Sequence, residues 1–248
     1  MRSRLMRLYA LQMRSRTYLT EHAHDDVLPT HRHRQGYASL VLDGEHVECS
    51  PDGPMACEPG TLILHPRFHA HGNRFGRRGA RVLNIELADS FAPDSLRSLQ
   101  VANIREARQI FEHGPQRLAE LIATANTLVP TASHEWLPEF VHRLQTTEMA
   151  LGEIARKLGI SAAHASRSVQ KSHGMSPQLL RRELRRRHAM SLLCGDMPII
   201  EIAALSGFSD QSHLTRLVRE LTGLPPATWR RQVKCVQDSI REPAADCA

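Results

Sequence analysis

The chain has 248 residues, of which 23% are charged and 41% apolar, a balance that fits one large or two modest globular domains and excludes a disordered or fibrous chain. Nowhere do about 18 apolar residues run uninterrupted, so no membrane span is expected. The net charge of +6 is concentrated: residues 148–234 hold 14 Lys/Arg against 7 Asp/Glu, a net +7, which points that segment toward an anionic partner.

Taken in chain order, the first 13 residues are Arg-rich, and Arg7 and Arg14 interrupt the one apolar patch, which argues against a secretory signal. Residues 30–87 read as strands. Tyr37–Leu42 runs into Asp43-Gly44, a hairpin signal, and His46–Cys49 alternates after it. Turns at Asp52-Gly53-Pro54 and Glu58-Pro59-Gly60 are followed by strands at Thr61–His65 and Ala80–Leu87. Short strands with Gly/Pro turns suggest a small antiparallel barrel or sandwich. The stretch Arg67–Arg81, with Arg74, Arg77 and Arg78, reads as a solvated loop. The five cysteines have no C-x-x-C spacing and read as reduced thiols of a cytosolic protein.

From about Val101 the periodicity becomes helical, through Ile104, Ala107, Ile110 and Phe111, then Leu118, Leu121, Ile122 and Ala125. A third segment spans Trp136 to Leu144. The boundary between the two halves of the chain is placed near residue 145.

Beyond it lies a repeat. Glu153-Ile154-Ala155-Arg156-Lys157-Leu158-Gly159-Ile160-Ser161 is echoed by Glu201-Ile202-Ala203-Ala204-Leu205-Ser206-Gly207-Phe208-Ser209. The pattern describes a helix that stops at a Gly, turns, and restarts after a capping Ser. Two copies predict two helix-turn-helix units reading successive DNA grooves. The copies are 48 residues apart before the Gly and 49 after it, so the second turn is one residue longer. In the first recognition helix Ala165 and Val169 face inward, and Ala163, Ser166, Arg167 and Gln170 face outward. In the second, Leu214, Val218 and Leu221 face inward, and Gln211, Ser212, His213, Thr215, Arg216 and Arg219 remain for the DNA side. Small and polar residues around one Arg suit a major groove, where Arg pairs with guanine O6 and N7. Between the copies, Ser176-Pro177 opens a long helix to Gly195, roughly 27 Å at about 1.5 Å per residue, studded with Arg181, Arg182, Arg185, Arg186 and Arg187.

The stretch Gly207 to Arg216, followed by Thr222-Gly223-Leu224-Pro225-Pro226-Ala227-Thr228-Trp229-Arg230-Arg231, resembles the signature of the AraC/XylS family of transcription regulators. The resemblance covers residues 148–232 and implies seven helices, with the long helix holding both recognition helices on one DNA face. Leu214 and Val218 depart from it, standing where aromatics are common. Upstream, His31-Arg32-His33 and Gly60-x5-Pro66-x4-His71 resemble the two motifs of a cupin barrel, the usual sensor of this family. In metal-binding cupins two His, a Glu and a later His converge. Here His31, His33 and His71 match, while Gln35, Tyr37 and Ala38 occupy the neighbourhood of the Glu. Three imidazoles suit Zn²⁺, Ni²⁺ or Fe²⁺; a metal-free pocket without cofactor is the leading expectation.

The expected architecture is therefore α+β: a cupin-like sensing domain at 1–100, a helical dimerisation segment at 101–145, a tandem helix-turn-helix domain at 146–234 and a tail at 235–248. The expected function is a cytoplasmic, non-enzymatic, sequence-specific regulator. Its expected partners are double-stranded promoter DNA, RNA polymerase, a small-molecule effector and a second copy, with no membrane; activation is the family's commoner mode. Two alternatives are a metal-dependent cupin enzyme with a DNA-binding appendage and a non-specific architectural DNA binder. No nucleophile elbow or phosphate-binding Gly loop is visible.

Overall fold

The computed structural model describes residues 16–89, 91–113, 117–128 and 134–241, with side chains described to residue 233. By its contacts the chain divides into two compact units, Met1–Ala132 with Ser172–Gly174, and Ser133–Lys171 with Met175–Ala248. Cys235 and Cys247 fall outside the described side chains. Among the described residues no helix is long and apolar enough to cross a membrane.

The first unit is an eight-stranded antiparallel sheet: β1 (Thr17–His22), β2 (Val27–Arg32), β3 (Tyr37–Ser50), β4 (Gly53–Cys57), β5 (Thr61–His65), β6 (Ala70–Glu86), β7 (Arg97–Gln100) and β8 (Asn126–Thr127). Pairing runs β1-β6-β3-β5-β7-β8, with β2 on β6 and β4 on β3. Both faces are buried, and the two-residue period of a strand sorts them. Leu40, Leu62, Leu64, Leu83 and Ile85 build one core, while Val41, Ile63, Val82, Phe75 and Met55 build the other.

Asp43-Gly44 does not turn the chain. β3 continues through it for 14 residues, and its register against β6 shifts on either side. Gly44 has φ +77°, and a Cβ there would collide with the Gly79 carbonyl. The same left-handed glycine that makes a hairpin turn here makes a bulge at a close backbone approach. Nor is Arg67–Arg81 a loop: most of it is β6, and Arg78 and Arg81 pair with Glu45 (3.5 Å) and Glu21 (3.0 Å). Strands β1, β2, β7 and β8 lie outside the sequence expectation.

Two helices complete this unit, α1 (Ile104–His113) and α2 (Leu118–Thr124). Ala107, Ile110, Phe111, Leu118 and Leu121 are buried in the first sheet core.

The second unit is all-helical, with seven helices among the described residues: α3 (Leu137–Thr146), α4 (Leu151–Lys157), α5 (Ala162–His173), α6 (Pro177–Leu192), α7 (Ile199–Leu205), α8 (Gln211–Thr222) and α9 (Pro226–Arg241). α3, expected in the linker, instead shares a core with α4, α5 and α6 through Leu137, Phe140, Leu144, Ile154, Val169 and Leu180. α6 has 16 residues, about 24 Å of helix, and opens as its sequence indicates, with Leu179 N–H donating to Ser176 Oγ at 3.3 Å. α9 carries helix to Arg241, into the stretch expected to be a tail.

Gly44→Ala should lower the stability of the sheet unit by more than about 2 kcal/mol, from left-handed strain plus the clash with Gly79. Gly152→Ala, with open space around its Cβ inside α4, should instead raise the stability of the helical unit by about 0.5–1 kcal/mol. Urea unfolding midpoints of the two variants check both signs.

Candidate functional site

Each half of the repeat folds into the same device. α4 ends at Gly159 (φ +70°) and α7 at Gly207 (φ +71°). Behind them Ile160 N–H donates to Ala155 O (3.1 Å) and Phe208 N–H to Ala203 O (2.9 Å), the six-to-one closure that ends a helix at a left-handed residue. The helix ends, Lys157 and Leu205, are 48 residues apart and the next helix starts, Ala162 and Gln211, are 49 apart, so the structure contains the one-residue slip. That slip changes the cap. Ser161 Oγ accepts from His164 N–H at 3.1 Å in the first copy, whereas in the second the cap is Asp210, accepting from His213 N–H at 2.7 Å. Ser209, expected to cap, lies one residue too early and bonds the Asp210 carboxylate at 3.2 Å. The backbone hydrogen bond from His213 holds the Asp210 carboxyl below its usual pKa.

The inward faces are as the periodicity indicates: Ala165, Val169, Leu214, Val218 and Leu221 are buried. On the outward face of α5, Ala163, Ser166, Arg167 and Gln170 are exposed. On α8, Gln211, Ser212, His213 and Arg216 are exposed and Thr215 is half-buried. Neither the Arg167 nor the Arg216 guanidinium makes a hydrogen bond or ion pair with another described residue. His213 is held by Ser209 Oγ (3.3 Å) and an edge contact with Phe208 (5.1 Å), and His164 packs on Trp136 (5.5 Å). Two exposed polar faces are thereby presented by the helical frame, with Arg167 on α5 and Arg216 and Arg219 on α8.

The arginines of α6 divide. Arg185 donates to both carboxylate oxygens of Glu148 (2.6 Å each) and to the Gly207 carbonyl (3.1 Å). Arg181 donates to Met149 O (2.6 Å), and buried Arg186 donates to buried Glu183 (3.1 Å). Arg182 and Arg187 are exposed. Arg230 of α9 ties down Leu193 O and Met197 O. At least Arg181 and Arg185 thus tie α6 to neighbouring segments, a role the basic run did not disclose.

In the sheet unit the histidines do gather. The cross-strand pair His31–His71 of β2 and β6, with His33, offers ligand nitrogens within 4.8 Å of one another. A second trio, His65, His69 and His71, does the same and is wholly buried. Tyr37 stacks on His65 (4.1 Å, 6°) and its hydroxyl lies 2.9 Å from His71 Nε2. An open pocket of about 330 Å³ beside them is lined by Tyr18, His33, Arg34, Gln35, Tyr37 and Glu86. The carboxylate missing after His33 has a neighbour from elsewhere: Glu48 of β3, buried, faces His65 Nε2 at 3.5 Å. Only the alternation of His46-Val47-Glu48-Cys49, with Glu48 on a buried strand, signals it in the sequence. His22, His24, Asp25 and Asp26 form contacts among themselves between β1 and β2 and join neither trio.

Burial sets the protonation here. Desolvation, aided by His22, lowers His46 to about 4, and desolvation pushes His65 and His71 well below the usual histidine value. Desolvation raises Glu48 to about 8. At neutral pH His46, His65, His71 and Glu48 are therefore mainly uncharged.

Geometry of this kind defines a class, the tandem helix-turn-helix DNA-binding proteins. A family model described as "Helix-turn-helix domain" matches residues 154–232, within which lie both glycine turns and both recognition helices. A relative, the HTH-type transcriptional regulator ExsA of Pseudomonas aeruginosa, is 28% identical over 134 residues, 54% of this chain. The chain spans about half, 48%, of that relative's length. Among solved structures, ToxT of Vibrio cholerae is 14% identical with TM-score 0.40, covering 88% of this chain and 98% of that one. An AraC-type DNA-binding domain protein of Chromobacterium violaceum is 26% identical with TM-score 0.36, covering 39% and 90%. Residues 154–232 of the C-terminal unit are thus similar to a helix-turn-helix domain, the kind that the regulator ExsA is named for.

Two outcomes follow from these contacts. Arg185→Ala should lower the melting temperature of the helical unit and leave the salt slope of DNA binding unchanged; a phosphate-contacting arginine would instead lose about one unit of slope. For pH, the sign is set by which state holds more protons. Below about 6.5 the unfolded chain takes up protons at His46, His65 and His71 that the folded chain refuses, so stability falls with acidification. Glu48 has the opposite sign between its ordinary 4.5 and about 8 and offsets one of the three. Chelator-treated protein should therefore lose about 1.4 kcal/mol per pH unit per net proton between about pH 6 and about pH 5. A flat urea midpoint over that range contradicts the burial account.

Proposed function

We propose that the chain is a cytoplasmic, effector-responsive transcription regulator that binds double-stranded promoter DNA as a homodimer and contacts RNA polymerase there. α5 and α8 enter two successive major grooves of the duplex. Arg167 and Arg216 each pair with a guanine, and Ala163, Ser166, Gln170, Gln211, Ser212, His213 and Thr215 line the approach. The observation that carries this reading is the pair of exposed polar faces, with Arg167 on one and Arg216 on the other, on helices set by matching glycine turns. The charge supports it too, since the net positive charge lies in this half.

The sheet unit is read as the cupin-like sensor, with the open pocket beside Tyr37 taking a small molecule. An effector shifts DNA binding only by its differential affinity for two arrangements of the protein. The proposed protein is a binding module rather than an enzyme, with activation as its mode.

The test is capture of genomic DNA fragments by the purified chain beside an Arg167→Ala/Arg216→Ala double variant. The wild type should enrich a motif of two boxes about one helical turn apart, and the double variant should lose it. Recovery of the same random fragments by both proteins would sink the recognition-helix assignment.

A further inference from the structure

We propose that His65, His69 and His71 form a binding site for a divalent transition metal such as Zn²⁺, distinct from the set His31, His33 and His71 that the cupin motifs single out. Three observations carry it. The imidazoles are buried, at 1%, 4% and 1% exposure, and offer ligand nitrogens within 4.8 Å of one another. Each ring already has one nitrogen engaged from outside the trio: His65 Nε2 by Ser39 Oγ (3.3 Å) and the Glu48 carboxyl (3.5 Å), His69 Nε2 by Asp52 Oδ2 (2.9 Å), His71 Nε2 by Tyr37 Oη (2.9 Å). The other nitrogen of each ring, Nδ1, is buried; in His65 and His69 it has no hydrogen-bond partner among the described residues, and in His71 the only neighbour for it is the His69 backbone.

A buried nitrogen without a partner costs about 1–3 kcal/mol when nothing binds it, so each of these rings favours a ligand. Carboxylates and a hydroxyl on the far nitrogen are also what hold metal-binding imidazoles in tautomer and orientation. An all-imidazole set of three suits borderline ions, above all Zn²⁺, with a position left for water or a further donor. A metal here would fasten the end of β5 to the start of β6 across the Pro66–His69 turn. The proposal stands whether or not the chain regulates transcription, since its readout is metal binding and not DNA binding.

The experiment is titration of untagged, chelator-stripped full-length chain with Zn²⁺ by calorimetry and with Co²⁺ by visible absorption, together with thermal unfolding. One ion per chain should bind, with Co²⁺ giving the intense bands of a four- or five-coordinate site and Zn²⁺ raising the melting temperature of the sheet unit. His69→Gln should weaken binding at least about 100-fold, while a His31→Gln/His33→Gln double variant should stay within about threefold. Asp52→Asn, which leaves every ligand in place, should weaken binding about 10–100-fold and keeps the test alive if His69→Gln fails to fold. The proposal is overturned by absence of saturable binding, by binding that His69→Gln and Asp52→Asn leave intact, or by loss on the His31/His33 change alone.

Discussion

Gly159 and Gly207 hold φ near +70°, and the backbone bonds that close behind them turn each scaffold helix into its recognition helix. A side chain with Cβ costs about 1–2 kcal/mol in that conformation, so the turn angle is written into two residues that have none. At Gly207 the constraint is doubled: a Cβ would meet the Arg185 guanidinium at 2.9 Å, the group that also holds the Gly207 carbonyl and Glu148. Everything downstream inherits that geometry. The buried faces of α5 and α8 are fixed by it, and so is the direction in which Arg167 and Arg216 point.

The basic character of α6 illustrates why a charge count is a poor guide to a binding face. Arg181 and Arg185 satisfy carbonyls and a carboxylate of the adjoining loops, Arg186 pairs with Glu183 of its own helix, and Arg230 holds carbonyls of the segment after α6. These planar, multi-donor groups hold backbone carbonyls that the helices leave unpaired. Arg167 and Arg216 sit elsewhere, on the exposed faces of α5 and α8.

The helical half was legible because its signals are local. A Gly stop, a Ser or Asp start and a 3.6-residue apolar period are all read within a dozen residues, and even the one-residue slip between copies was visible. Ser209 misled because a capping residue is defined by the first helical N–H it serves, and the longer turn moved that role to Asp210. The sheet half was less legible because its determinants are non-local. Asp43-Gly44 carries the same signal for a hairpin and for a bulge, and only the approach of Gly79 from β6 decides between them. Glu48 joins the histidines through strand pairing, invisible along the chain. Histidines 31, 33 and 71 were singled out by motif spacing and do lie together. His65 and His69 complete a deeper trio through the fold of β5 onto β6.

The most direct test of the DNA-reading geometry is guanine N7 methylation interference on a captured binding site. N7 is one of the two atoms through which Arg reads guanine, so methylation of one guanine in each of two boxes about one turn apart should abolish binding. The Arg167→Ala chain should become insensitive in one box only, and the Arg216→Ala chain in the other. Interference confined to a single box, or the same pattern for both variants, would contradict two recognition helices reading successive grooves.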